Sequence, residues 1–161
     1  MPTPDHLLDI LCWHTKANKL LILLVGPPCS GKSSFDVLLQ GRLPHTTINT
    51  DLGKDARSIE TRIQYYRRLY EEALSFKQHI VVDQTNLSLE ARKKYLERAP
   101  QYLHIALDFM PVSTETLFAR SQQRQEETGR HVPQRVIQEL VEAYRPPQFD
   151  EGFDYIFKVT Q

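Results

Sequence analysis

Short apolar runs alternate along this chain with longer stretches whose apolar residues recur every three or four positions. Leu20 to Val25 is six apolar residues without a polar break, so Lys19 to Val25 reads as a strand buried on both faces. The segment after it carries Phe35, Val37, Leu38 and Leu39 on a predicted helical face and runs to about Gln40, before Gly41 and Pro44 break the chain. Thr46 to Thr50 predicts a short strand, Asp55 to Phe76 a long helix, and His79 to Val82 a β-branched strand that ends in Asp83. Ser88 is placed to cap a helix through Glu97, with Leu87 before it and Ala91 three residues on.

The second half repeats the alternation. Tyr102 to Phe109 predicts a strand, Thr114 to Glu127 a helix ending near Gly129, and 128–132 a polar link. Pro133 opens a further helix to about Tyr144, Pro146 and Pro147 stop it, and Phe153 to Val159 is the last strand. At the other end, Thr3 and Pro4 mark the start of a short helix whose Leu7, Leu8, Leu11 and Trp13 form an apolar side suited to covering a sheet edge. This order predicts an α/β fold: a five-stranded, mostly parallel sheet with helices on both faces and a small arginine-bearing lid. Ligands in such sheets bind beyond the C-terminal strand ends, where Gly26, Asp51 and Asp83 fall.

The chemistry begins at Gly26 to Ser33, GPPCSGKS, which fits the phosphate-loop pattern of Gly, four residues, Gly, Lys and Ser or Thr. Strand, loop and helix stand in the order the motif needs. Backbone N–H groups at a helix N-terminus hold phosphate without a dedicated cage, and Gly26 and Gly31 let the chain curl and approach closely. Pro27 and Pro28 have no N–H, so the donors are expected from Cys29 through Ser30, Gly31, Lys32 and Ser33 to Ser34. Lys32 is expected on the β- and γ-phosphates of ATP, and the Ser33 hydroxyl on Mg²⁺.

A phosphate loop alone does not separate hydrolase, switch and kinase. Asp51, just past a strand, suits a general base that takes the proton of an attacking hydroxyl, and it also suits a helix N-cap. Asp83 closes HIVVD as a second Mg²⁺ residue would, or as a turn aspartate ahead of Thr85 and Asn86. Arg120 and Arg124 lie four apart on one helix face, with Arg130 beyond; guanidinium groups there can close on transferring phosphates or simply face solvent.

Composition narrows the setting. The 161 residues suit one domain, 1–161, with residues 1–18 packed on it as an N-terminal helix. Formal net charge is zero, against tight non-specific grip along a nucleic-acid backbone. Two cysteines are too few for a disulfide framework, and Cys29 sits inside the loop, which predicts a reducing compartment, cytoplasmic or nuclear. The run at Leu20 is far short of a membrane span, and no signal-like start precedes it. No membrane association is expected, and the sequence names no protein partner.

Together the phosphate loop, INTD at Ile48 to Asp51, VVDQTN at Val81 to Asn86, RSQQR at Arg120 to Arg124 and EGFDYIF at Glu151 to Phe157 resemble the kinase domain of polynucleotide kinases. The resemblance spans nearly all of the chain after the first helix. It implies a P-loop kinase fold and ATP- and Mg²⁺-dependent phosphorylation of the 5′-hydroxyl end of DNA or RNA. By position it makes Lys32 and Ser33 the phosphate and Mg²⁺ residues, Asp51 the general base and Arg124 the lid arginine, with Thr85, Asn86 and Arg92 on the acceptor side. Thr50 stands where that family commonly has Arg, leaving Lys54 or Arg57 as the basic residue on the acceptor. The phosphatase signature of two aspartates before Gly-Thr is absent from the sequence. A P-loop kinase for a small molecule is the alternative that keeps the chemistry, and a nucleotide-dependent switch is the one that does not.

Overall fold

A computed structural model describes residues 2–49 and 59–160, with the backbone alone at Ile59 and Glu60. Its centre is β1 (Leu20–Val25), in which all six side chains are buried. Because successive side chains of a strand point to opposite faces, this unbroken apolar run requires cover on both sides. On one face Leu20, Ile22 and Leu24 pack with Leu7, Leu8 and Leu11 of α1 (Pro4–His14) and Phe35 and Leu39 of α2 (Lys32–Gln40). On the other, Leu21 and Leu23 meet Tyr70 and Ala73 of α3 (Ile59–Ser75) and Tyr95 and Leu96 of α4 (Leu89–Leu96).

The remaining strands are β2 (Thr46–Asn49), β3 (Ile80–Asp83), β4 (Leu103–Asp108) and β5 (Tyr155–Lys158). Their order is β2-β3-β1-β4-β5, and every pairing is parallel. The expected α/β sheet, covered on both faces, is present. Since the connections on either side of β1 lead to different neighbours, the loop after Val25 opens at a switch point. Asn49 pairs in register with Asp83, which sets the ends of β2 and β3 side by side next to that loop.

Capping follows the sequence closely. Thr3 accepts from His6 N–H at 3.3 Å, Ser88 from Ala91 N–H at 3.1 Å and Ser113 from Thr116 N–H at 3.1 Å. After β4, α5 (Thr114–Thr128) ends at Gly129, which takes the left-handed φ of 72° and returns its N–H to Gln125 O at 2.8 Å. It packs on α6 (Gln134–Ala143), and the pair forms the arginine-bearing lid.

Three expectations need correction. Trp13 is 63% exposed and His14 is buried in its place, so α1 lies on a sheet face beside α2, where His14 also meets Tyr155 of the edge strand. On α2, Val37 and Leu38 are 72% and 55% exposed; of its apolar residues the helix buries only Phe35 and Leu39, four apart, while Val37 borders a cleft. The last strand is shorter than Phe153 to Val159, since Phe153 and Val159 are buried at its ends outside the ladder.

Candidate active site

The loop between β1 and α2 wraps a cleft of about 660 Å³. Its form follows from two glycines. A Cβ at Gly26 would stand 2.6 Å from Ser30 Oγ and 3.2 Å from Phe109 Cβ, so any side chain there would push the loop open. Gly31 adopts φ 98° and starts α2 without a side-chain cap, leaving the first N–H groups of the helix to the cleft wall formed by Gly31, Lys32, Ser33 and Ser34. The loop is pinned from behind by Gly26 N–H, which donates to Thr85 O at 3.0 Å.

Lys32 is only 8% exposed, and its Nζ donates to Pro27 O at 2.8 Å. An ammonium has three N–H donors, so two remain for an anion in the cleft. Burial lowers its pKa from 10.5 to about 8; Asp83 and Cys29 act to raise it, and Arg124 lowers it further. The site therefore holds a cation at a desolvation cost that a bound polyphosphate would remove.

Ser33 Oγ donates to Asp83 Oδ2 at 2.7 Å across the gap between α2 and the end of β3. A hydroxyl and a carboxylate are hard oxygen donors, and Mg²⁺ takes one or two protein oxygens while keeping phosphate and water for the rest. The pair fits that ion. From the lid, Arg120 and Arg124 line the same cleft, and Arg120 Nη1 donates to Cys29 O at 3.2 Å.

Of the expected phosphate residues, Cys29, Gly31, Lys32, Ser33, Ser34, Arg120 and Arg124 all line the cleft. Ser30 does not belong with them: it is fully buried under the loop, its N–H turned to Pro27 O at 3.4 Å. Gly26 acts from behind the wall, by permitting the curl.

The acceptor side needs more revision. Thr85 lines the cleft. Asn86 is buried at φ 47°, where its Nδ2 donates to Leu24 O at 2.8 Å and Val82 O at 3.2 Å, so it braces the loop instead of facing a substrate. Arg92 is 1% exposed. It forms a bidentate pair with Glu151, 2.7 Å to each oxygen, and also donates to Asn86 O and Arg145 O. Four of the five guanidinium donors are thus spent inside the core, so the side chain braces the fold and does not face the cleft. Asp51, Lys54 and Arg57 lie outside the described residues.

Sequence reasoning missed Asp36, Asn49 and Gln84, all on the cleft wall. For Asp36 a signal existed, since it lies three residues after Ser33 and so shares its helix face.

Comparisons with known proteins agree with this architecture. A family model described as an AAA domain matches residues 21–147. The Arabidopsis thaliana protein named Transcription factor bHLH140 is 23% identical over 146 residues, which are 88% of this chain but 16% of that protein. A gluconokinase from Sinorhizobium meliloti 1021 superposes with a TM-score of 0.60 at 21% identity, covering 89% of this chain and 85% of its own. A chain of the Pnkp1/Rnl/Hen1 RNA repair complex gives 0.63 at 23% identity, covering 78% of this chain and 44% of that one. At these identities the likeness shows a P-loop kinase-type fold. Among the described residues no helix is long and apolar enough to cross a membrane.

Proposed function

The chain belongs to the AAA domain family, and from that premise we propose that it transfers the γ-phosphoryl group of ATP to the 5′-hydroxyl end of a polynucleotide. The observation that carries this reading is the convergence on one cleft. Lys32, Ser33, Asp83 and the lid arginines all line it, and so does Asn49 at the tip of β2, two positions before Asp51 in the sequence.

In the proposed reaction, N–H groups from Gly31 to Ser34 and the Lys32 ammonium hold the polyphosphate in line. Ser33 and Asp83 would hold Mg²⁺, which would neutralise phosphate charge when bound. Asp51 takes the proton of the attacking hydroxyl, and Arg124, with Arg120, stabilises charge on the transferring group. The sequence motifs around Ile48 to Asp51 and Arg120 to Arg124 support these assignments by their resemblance to polynucleotide kinases.

A second reading, phosphorylation of a small hydroxyl compound, is favoured by zero net charge, by Thr50 in place of an arginine, and by a gluconokinase match that runs through most of that enzyme. Labelled ATP offered with 5′-OH oligonucleotides and with gluconate separates the two. End-labelled oligonucleotide, abolished in Asp51→Ala while ATP binding persists, is the expected result. Transfer to gluconate alone selects the second reading, and nucleotide-dependent partner binding without transfer selects a switch.

A further inference from the structure

Behind the phosphate loop stands a carboxylate that the proposed chemistry leaves unused. Asp108 closes β4 in register with Val25, the residue before Gly26, and its side chain has no exposed surface. Its Oδ1 accepts Met110 N–H at 3.0 Å, and its Oδ2 accepts the Tyr144 hydroxyl at 2.6 Å together with Lys158 Nζ. Lys158, in register with it on β5, also donates to the Tyr144 oxygen at 3.3 Å. One ammonium and two hydrogen bonds thus answer the buried charge.

The two partners besides Lys158 lie at the two ends of the lid. Met110 opens the segment that leads from β4 into α5, and Tyr144 is the residue at which α6 ends. The returning chain has another attachment at Arg145, whose N–H donates to Leu87 O at 2.8 Å and whose carbonyl accepts Arg92 Nη1 at 3.0 Å. One attachment lets a helical hairpin swivel; a second, joining both of its ends to one group, sets its angle. Asp108 supplies the second, and Phe109 N–H ties the same segment to Val25 O at 2.8 Å, on the strand that carries the loop. Arg124 is ten positions beyond the start of α5, about 15 Å along it by helical rise. A swing of about 5° at the base therefore displaces it by about 1 Å, the scale on which positioning decides rate.

We propose that Asp108 is a positioning residue that fixes the angle of the lid over the phosphate loop, so that Arg120 and Arg124 meet the transferring phosphate. The inference rests on the phosphoryl-transfer reading above, whichever hydroxyl accepts. Asp108 does not line the cleft, and it acts through the arginines that do.

Hydrogen exchange read by mass spectrometry, with and without a non-hydrolysable ATP analogue and Mg²⁺, tests this without any acceptor. In wild type the analogue is expected to slow exchange in both 26–34 and 114–128. In Asp108→Asn the slowing in 26–34 should persist while that in 114–128 falls about tenfold. Tyr144→Phe keeps the Lys158 pair and should shift the same way by less, so it serves if Asp108→Asn does not fold. In transfer to the 5′-OH oligonucleotide or to gluconate, whichever wild type labels, Asp108→Asn should lower kcat about tenfold with ATP KM within about threefold. Adding Arg124→Ala to it should then cost little beyond Arg124→Ala alone, because both changes remove the same contact. Slowing of 114–128 that is equal in wild type and both variants, or kcat losses that add in full, would leave Asp108 a strut of the sheet and overturn the inference. Slowing of 26–34 without 114–128 in wild type would overturn it as well. No slowing of either segment in wild type would strike down the phosphate-binding reading itself, and the inference with it.

Discussion

Lys32 and the lid arginines reach one cleft from supports of very different strength. Lys32 rises from a loop whose backbone is tied to Thr85, whose floor is braced by Asn86, and whose flanking strand is wholly buried. Arg120 and Arg124 ride on a helix that buries only Leu117 and Ser121, against a second helix that buries only Ile137. The first region resists change of shape; the second is held by a thin seam. A phosphoryl-transfer site has use for both, because the donor must be fixed while the cover opens and closes for each turnover.

The comparison breaks most readily at its rigid side. Lys32→Ala is expected to lower turnover about a thousandfold or more, the scale on which a fixed electrostatic stabiliser acts, as measured by single-turnover transfer. Turnover like that of wild type would end the phosphate-binding account. Next in size is pH. Lys32 titrates at about 8 in the empty protein, and a bound polyphosphate raises that value by stabilising the ammonium. Binding therefore takes up a proton above pH 8. Nucleotide affinity should be level below that point and fall about tenfold per unit above it, which calorimetry in buffers of different ionisation enthalpy would read directly. For folding the sign is opposite. The unfolded chain, with its lysine at 10.5, binds the extra proton between pH 8 and 10.5, so this residue's burden on the empty fold lessens as pH rises through that window.

The smallest expected effect tests the seam. Ser121 Oγ donates to Val132 O at 3.0 Å and accepts Val132 N–H at 3.3 Å, joining α5 to the link before α6. Ser121→Ala should cost about 1 kcal/mol in denaturant unfolding and change ATP KM only a few-fold. A loss of turnover matching that of Lys32→Ala would show that the cover, not the loop, governs the site.

Much of this arrangement is readable from residues alone, because local rules carry it. The unbroken run from Leu20 to Val25, the glycines around Lys32, and the caps at Thr3 and Ser88 each act within a few residues of themselves. What was not readable depends on segments far apart in the chain. Arg92 looks like a helix-surface cation until Glu151, 59 positions later, is placed against it. Val37 looks like core until the cleft is seen to occupy its side of α2. Asp36 becomes legible only when His45 and Thr47 fold back upon it, a contact no periodicity announces.

The Arg92–Glu151 pair also bears on how the protein is made. A chain synthesised through β4 and both lid helices still lacks the turn that carries Glu151, and a compact intermediate at that stage would enclose an unmatched positive charge. Closing the interior around Arg92 therefore waits for the segment that carries Glu151.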